Sequence, residues 1–391
     1  MNESIRSFKR ALDRAAFSMF RFILRTRKGN KSKTFAIVRT DGIGDLVFFL
    51  PFCAELKKHF STHRFVLVCR REAAPLAGNS IFDTVIAYGY MQYRRNYFYR
   101  LWILLKIRSV HPSLTLYASY HRQHIGDEMA LLSGANRVIA FDGNDEIIHP
   151  SMRESNSSFY SAIVHVEDHS PEKEKYRTLF AKMDVRIDEV ERTRARLFGR
   201  ESPGRKGAYS YVLLTPGGSS RLRRWPWERF AELGDILAAQ TGVEIILCGN
   251  RGENGLLSTI AKRMEKTPPI ISDLSIQSVV ELIKRASMVV GNESGLLHIA
   301  ASVGTPSVCI LGGGHFSRYF PYGSATIVNH KLDCYECNWK CPFPEVYCLT
   351  RISVEDVMGE VERTLTHPPF ESPPSLDKRR GRSAWGLSST V

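Results

Sequence analysis

The sequence predicts an α/β protein of two Rossmann-like domains facing each other across a cleft. Three observations predict it. Short apolar, β-branched runs alternate with helical stretches from Thr34 to Phe141, and the alternation restarts at Tyr211 and continues to Leu311. Between the two stretches, Glu201-Ser-Pro-Gly-Arg-Lys-Gly has the composition of a linker. The first strand of each half also opens into a glycine-containing turn before a helix, where parallel sheets of this kind place their ligands.

A chain of 391 residues can bury two separate cores, and its 43% hydrophobic and 24% charged content is that of a globular protein. The net charge of +14 is unevenly placed. Residues 1–33 form a basic leader with ten Lys/Arg against Glu3 and Asp13, a net +8. The tail from Thr366 adds +2, which leaves about +4 for the body. A body so weakly basic argues against nucleic acid as a partner.

Within the leader, Ile5, Phe8, Leu12, Ala15, Met19 and Ile23 recur at helical spacing. Arg6, Lys9, Arg10, Arg14, Arg21 and Arg25 fill much of the remainder. That pattern suits a helix lying in an anionic membrane surface, and equally one that is solvated or packed on a partner. No apolar run approaches the roughly 20 residues of a bilayer span. The leader also lacks the apolar stretch and cleavage site of a secretory signal.

The N-terminal domain is expected over 34–200. Thr34–Thr40 reads as a strand, Asp45–Phe60 as a helix, and Arg64–Arg70 and Thr84–Tyr88 as strands. Tyr99–Ser109 follows as a helix, Leu114–Ser119 as a strand, Gly126–Ser133 as a helix and Arg137–Phe141 as a strand. The rhythm weakens between about Gly143 and Gly207.

The C-terminal domain is expected over 208–352, with strands at Tyr211–Leu214, Val243–Cys248, Met288–Val290 and Ser307–Leu311. Helices are expected at Pro226–Thr241, Asn254–Lys266, Ser275–Ala286 and Gly295–Val303. A last amphipathic helix, Val354–Leu365, occupies 353–367, and the Pro-rich basic end over 368–391 reads as disordered.

Three turns carry chemistry. After the first strand comes Thr40-Asp41-Gly42-Ile43-Gly44-Asp45. Its glycines allow close approach of a ligand, but two carboxylates would repel a pyrophosphate and the third glycine of a dinucleotide fingerprint is missing. Asp45 fits a general base for a sugar hydroxyl, and it also fits a helix cap. The second half opens with Thr215-Pro-Gly217-Gly218-Ser219-Ser220, then Arg221, Arg223 and Arg224 before a helix, which suits a diphosphate clamp or an exposed basic loop. The turn Gly249-Asn250-Arg251-Gly252-Glu253 follows another strand and is a candidate to line the same cleft.

The third turn is Gly291-Asn-Glu293-Ser294-Gly295-Leu-Leu-His298. Amides at a helix start lack intrahelical partners and carry partial positive charge, so this turn can hold an anion while Glu293 accepts from a ribose or sugar hydroxyl. An ordinary strand-to-helix turn capped by Ser294 has the same sequence.

Taken in order, Gly-Ile-Gly-Asp, Pro-Gly-Gly-Ser with Arg-Arg-Trp-Pro, and Gly-Asn-Glu-Ser-Gly-Leu-Leu-His with Gly-Thr-Pro resemble the heptosyltransferase family, glycosyltransferase family 9. The resemblance covers about Phe35 to Leu365. It implies a GT-B fold, an inverting transfer, and a nucleotide-diphosphate sugar donor, typically ADP-heptose, used on a lipopolysaccharide or other glycan acceptor. It implies no cofactor for catalysis and a place at the cytoplasmic face of the bacterial inner membrane. The first domain then presents the acceptor and the second holds the donor. Asp45 stands where that family has its catalytic base, Arg223 where a phosphate-binding cation is usual, and Ser294, Gly295 and His298 match its nucleotide and sugar site. Donor contacts are expected from Gly44, Gly218, Ser219, Arg223, Arg224, Glu253, Glu293, Ser294, Gly295 and His298. Glu293 departs from the family's usual aspartate by one methylene, so the sugar need not be heptose.

Two further clusters stand out. Tyr90–Arg100 interleaves aromatic and basic residues, so that Arg94 and Arg95, with Asp41, are acceptor candidates; Tyr97, Leu101 and Leu104-Leu105 also fit the core stripe of a helix. Cys334, Cys337, Cys341 and Cys348 are close enough in sequence for a structural zinc or iron site, with reduced thiols packed in a loop as the other reading. Some relatives carry cysteines here, and an autotransporter-modifying branch holds iron through cysteines. Two other classes share the architecture: a nucleotide-sugar epimerase or hydrolase acting on donor alone, and a non-catalytic nucleotide-sugar-binding protein.

Overall fold

The computed structural model describes residues 3–24, 32–78, 81–198 and 211–366. The expected linker at 201–207, the tail over 368–391 and Arg25 of the leader lie outside the described residues.

Two six-stranded parallel sheets make the frame. The first contains β1 (Thr34–Val38), β2 (Arg64–Arg70), β3 (Thr84–Tyr88), β4 (Leu114–Tyr117), β5 (Arg137–Phe141) and β6 (Ala162–Val164), in the order β3-β2-β1-β4-β5-β6. The second contains β7 (Tyr211–Thr215), β8 (Glu244–Cys248), β9 (Ile270–Ile271), β10 (Met288–Asn292), β11 (Ser307–Ile310) and β12 (Ala325–Val328), in the order β12-β11-β10-β7-β8-β9. Both sheets therefore repeat one topology, with the order reversing between β1 and β4 and again between β7 and β10. Ligands of such sheets settle outside the strand ends at these reversals.

Most expected strands and helices are present within a few residues. The sequence rhythm missed β6, β9 and β12, which are short and lie at or near sheet edges, and it missed the Tyr90–Arg95 helix. Between 143 and 198 the chain forms helices Pro150–Ser157, Glu172–Ala181 and Val190–Phe198 around β6.

The Ile43–His59 helix is apolar on nearly every side, with Leu46, Val47, Phe48, Phe49, Leu50, Phe52, Cys53 and Leu56 buried. A helix with no polar face is covered on all sides. One side packs on the first sheet, while Phe48 meets Tyr319 and Tyr322 of the second half edge-on at 5.2 and 4.9 Å. The core thus runs through the boundary between the two sheets.

The leader forms the Glu3–Ile23 helix. It buries Ala16, Phe17 and Phe20 against Leu104 and Leu132, and Asp13 pairs with buried Arg100 at 2.7 Å. Its other apolar stripe stays in solvent: Ile5, Phe8, Leu12, Met19 and Ile23 are all exposed. Among the described residues no helix is long and apolar enough to cross a membrane.

Candidate active site

Between the two sheets lies a cleft of about 1420 Å³, lined from both halves at the strand-order reversals. Asp41, Gly44 and Asp45 come from the first, and Gly218, Ser219, Arg223, Arg224, Glu253, Glu293, Ser294, Gly295 and His298 from the second. The three motif turns of the sequence meet in one place.

On the first side, buried Arg39 organises the turn after β1. Its guanidinium grips both oxygens of Asp41 at 2.7 and 3.0 Å, donates to Tyr176 at 2.9 Å and to the carbonyls of Ala118 and Asp45. The Asp45 side chain is left to other partners. Oδ2 accepts from the Gly42 amide at 3.0 Å, closing the helix start, and Oδ1 accepts from the Tyr319 hydroxyl. Asp45 is therefore both a helix-capping group and a cleft carboxylate. Burial pushes its pKa up, but Arg318, the Tyr319 hydroxyl, Arg39 and His298 outweigh that and hold it well below the usual carboxylate range. Asp41 moves the other way: burial, reinforced by the Asp45 charge and opposed by Arg39, pushes it up to about 6.

A loop after β11 supplies the clamp that the sequence reading missed. Arg318 Nε meets buried Glu172 of the first half at 3.0 Å, and the Glu172 amide donates to the Arg318 carbonyl at 2.9 Å. With Tyr319 on Asp45, two adjacent residues of the second half are bonded to acids of the first. The signal was the glycine run Gly312-Gly-Gly-His315 at a strand end. Tyr335 and Trp339 cover this run so closely that a Cβ at Gly313 or Gly314 would sit 2.3 or 2.5 Å from their rings.

Two helix starts face each other here. A Cβ on Gly44 would lie 2.5 Å from His298 Cδ2, so only glycine lets the histidine ring cover this turn. His298 is wedged among Tyr319, Phe320 and Tyr322 at 4.7 to 5.7 Å, with Nδ1 2.7 Å from the Tyr322 hydroxyl. Burial pushes its pKa down to about 4 despite Glu293 and Asp45, so the ring is neutral at pH 7. The two starts differ in charge. The Ile43–His59 helix is closed by a carboxylate, whereas Ser294 makes no side-chain cap on the Gly295–Val303 helix. An anion is favoured at the second start and repelled at the first.

Several cleft atoms are buried and poorly satisfied: the hydroxyls Thr215 Oγ1 and Ser294 Oγ have no hydrogen-bond partner, and Glu293 Oε2 and His315 Nδ1 face only each other. Buried polar groups are normally satisfied, so such a group of orphans fits a polar ligand. His315 Nδ1 lies 3.4 Å from Glu293 Oε2, and its Nε2 lies 3.1 Å from Arg223 Nη2. Burial pushes Glu293 up, but His315, Arg223 and His298 outweigh it and keep the carboxyl below its ordinary value.

The clamp expected at Gly218 is already engaged. Its amide donates to Glu253 at 2.9 Å, and the other Glu253 oxygen takes the Asn250 amide at 3.0 Å. Arg224 is spent on the Gly218 carbonyl at 2.8 Å, which leaves Arg223 as the cation turned toward Glu293 and His315. Arg94 and Arg95 are exposed and do not line the cleft; Arg70 and Arg71 do, with Arg70 lying 4.0 Å over the Tyr90 ring. The interleaved segment is explained largely by packing, since Tyr93 is buried on Glu128 at 2.7 Å and Tyr97, Leu101 and Leu104 face the leader helix.

The four clustered cysteines line one small cavity of about 10 Å³. Among the described residues, however, no three His, Cys, Asp or Glu side chains stand close enough together to hold a metal ion. The expected zinc or iron site has no ligand set here. Cys348 instead accepts the Gly313 amide at 3.3 Å, bracing the loop that carries His315 and Arg318.

Residues 148–345, just over half of the chain, match the family model described as glycosyltransferase family 9 (heptosyltransferase). The chain is similar to the lipopolysaccharide core heptosyltransferase OpsX of Haemophilus influenzae, at 24% identity over 39% of this chain and 47% of that protein. It is also similar to lipooligosaccharide heptosyltransferase 2 of Campylobacter jejuni, at 25% identity over 39% of this chain and 51% of that protein. The chain thus spans about half the length of the curated relatives it matches. Among solved structures, a glycosyl transferase family 9 protein from Veillonella parvula aligns with a TM-score of 0.69 at 16% identity, covering 87% of this chain and 99% of that one. The E. coli heptosyltransferase WaaC with ADP-2-deoxy-2-fluoro heptose gives 0.63 at 18% identity, covering 85% and 99%. At these identities the likeness carries the fold, the two facing Rossmann sheets of the GT-B type.

Proposed function

From the premise that this chain belongs to glycosyltransferase family 9, we propose that it transfers a heptose-like sugar, with inversion, from a nucleotide diphosphate to a lipopolysaccharide-core type acceptor. The observation that carries this most is the meeting of Asp45 with a cluster of unsatisfied polar atoms and an uncapped helix start across one cleft. A relative of the same fold is named with an ADP-heptose analogue, which supports an ADP-linked donor here.

The acceptor hydroxyl takes the place of Tyr319 on Asp45 Oδ1 and attacks the anomeric carbon. The bond from that carbon to the diphosphate breaks with its electron pair, and Asp45 receives the hydroxyl proton. Charge growing on the departing diphosphate is met by Arg223, by the Ser294 hydroxyl and by the amides that open the Gly295–Val303 helix. Glu293 accepts from a hydroxyl of the donor, and His298, neutral, donates or accepts without adding charge. Residues 34–200 present the acceptor and residues 208–352 the donor. Positive charge comes from side chains and helix ends, so no cofactor is assigned to the step. The exposed stripe of the leader helix holds the enzyme on an anionic cytoplasmic membrane surface, where a lipid-linked acceptor is reached.

Incubation of the chain with ADP-heptose, with and without core oligosaccharide, tests the proposal by mass spectrometry and the anomeric configuration of the product. Transfer with inversion only when acceptor is present is expected. Equal donor consumption without acceptor would make the protein a hydrolase or epimerase, and binding without any turnover would make it a nucleotide-sugar-binding protein.

A further inference from the structure

A second cavity, of about 460 Å³, lies between the leader helix and the Pro150–Ser157 helix, and shares no lining residue with the cleft. Arg14 and Arg21 reach into it from the same face of the leader helix, two turns apart. Arg14 Nη2 donates to Ser151 Oγ at 2.5 Å, and the Arg21 guanidinium lies 3.8 Å over the Phe159 ring. Among the described residues neither arginine has a carboxylate at ion-pair distance. Both are held by neutral partners, with their charge left over.

Besides the two arginines, Ser18, Ser155 and Asn156, the cavity is lined by His124. The guanidinium of Arg100, which can only donate, lies 3.5 Å from its Nε2, so that nitrogen accepts and Nδ1 carries the hydrogen. That Nδ1 is buried and has no hydrogen-bond partner. The nearest acid, Glu128, is 3.9 Å from the ring and is itself paired with Arg100. Two unneutralised cations and an unsatisfied N–H call for a compact anion rich in acceptors, which describes a phosphate. The rest of the wall is mixed, with Ser18, Ser155 and Asn156 beside Phe17, Phe22, Met152 and Phe159. Phe17 packs 6.2 Å from His124 and 6.3 Å from Phe159, while Phe22 lines the cavity and is 68% exposed. Phe22 lies one helical turn from Met19 and beside Ile23, both in the exposed stripe.

We propose that this cavity binds the headgroup of an anionic phospholipid. The phosphate lies between Arg14 and Arg21 and accepts from His124, and the acyl chains leave over Phe22 along the exposed stripe. The proposal rests on the membrane-surface reading of the leader helix for the supply of lipid, and it adds a specific headgroup site to that surface. It explains why the leader helix is both docked on the domain and apolar on its outer side: the docked side completes a pocket, and the outer side faces acyl chains.

Calorimetric titration of the full chain with dihexanoyl-phosphatidylglycerol below its micelle concentration tests the site without a bilayer. Saturable binding is expected, weakened roughly tenfold or more in the double variant R14Q/R21Q, because each cation near a lipid phosphate contributes substantially. The variant R21K keeps the charge and loses the stacked plane, so a smaller loss is expected. The double variant K9Q/R10Q, equal in charge removed, should bind within about twofold of the parent, and an unchanged circular dichroism spectrum and urea midpoint in each variant show that it is folded. Equal affinity for dihexanoyl-phosphatidylcholine, or an unaffected R14Q/R21Q, overturns the proposal; so does inorganic phosphate binding as tightly as the lipid. Cosedimentation with phosphatidylglycerol vesicles separates the two readings. Short-chain lipid bound without vesicle binding supports the cavity and removes the membrane surface, whereas vesicle binding without short-chain binding does the reverse.

Discussion

The hydroxyl of Tyr319 donates to Asp45 across the boundary between the two sheets, joining residues 274 positions apart in the chain. One residue earlier, Arg318 grips Glu172 of the first half. The carboxylate assigned to proton transfer is therefore part of the latch that holds the two halves together. Anything that engages Asp45 from the cleft has to compete with that latch, so the proposed engagement of an acceptor there would be coupled to the set of the domains.

Replacing Tyr319 by phenylalanine should remove a hydrogen bond to a charged acceptor, at a cost of about 1.5–3 kcal/mol. A lower urea midpoint is expected, with the Asp45 titration rising toward the ordinary aspartate value because one of the groups holding it down is gone. Carboxyl chemical shifts measured against pH check this. An unchanged Asp45 titration in the Tyr319→Phe variant would mean that the hydroxyl does not hold the carboxylate.

Stability should depend on pH through the two acids in opposite senses. Asp45 lies below its unfolded value, so its contribution is present above about pH 4 and is lost as the pH falls further. Asp41 is raised to about 6, so its contribution is present below about pH 4 and is lost as the pH rises through about 6. Between pH 4 and 7 the parent should lose roughly 2–3 kcal/mol through Asp41, and Asp41→Asn should flatten that slope whatever its effect on absolute stability. Urea midpoints across this range decide it.

Ser294→Ala separates fold from site. The hydroxyl is buried, caps nothing and bonds nothing, so its removal should leave the melting temperature unchanged or slightly raised. Donor affinity should fall about 10- to 150-fold, the worth of one hydrogen bond to a charged group at about 1.5–3 kcal/mol. Loss of stability with donor affinity intact would assign Ser294 to the helix cap.

Much of this arrangement was legible in the sequence because it sits at strand ends. Asp45, Arg223, Glu293, Ser294, Gly295 and His298 lie in the turns and helix starts that follow β1, β7 and β10, and all of them line the cleft. Arg39, Glu172, Arg318 and Tyr319 were not legible, since their roles come from contacts between distant segments that no local pattern records. Strands β6 and β9 escaped because three and two residues are too few to show a period. Arg94 and Arg95 were misplaced because alternating aromatic and basic residues look alike whether they bind a glycan or simply pack Tyr93 into a core. The cysteine spacing suggested a metal, whereas the four thiols sit around a loop brace without a shared ligand position among the described residues.

The most direct measurement is single-turnover transfer by Asp45→Asn, read beside the donor's dissociation constant. Asparagine keeps the size of the side chain and an acceptor oxygen for the Gly42 amide, so the fold and the donor lip on the opposite sheet stay in place. General-base assistance and its electrostatic support are lost together, and turnover should drop by roughly 10²–10⁴-fold with donor affinity within about twofold. Transfer at the parent's rate, or a donor affinity that falls in step with turnover, would contradict the assignment of Asp45 as the group that takes the acceptor's proton.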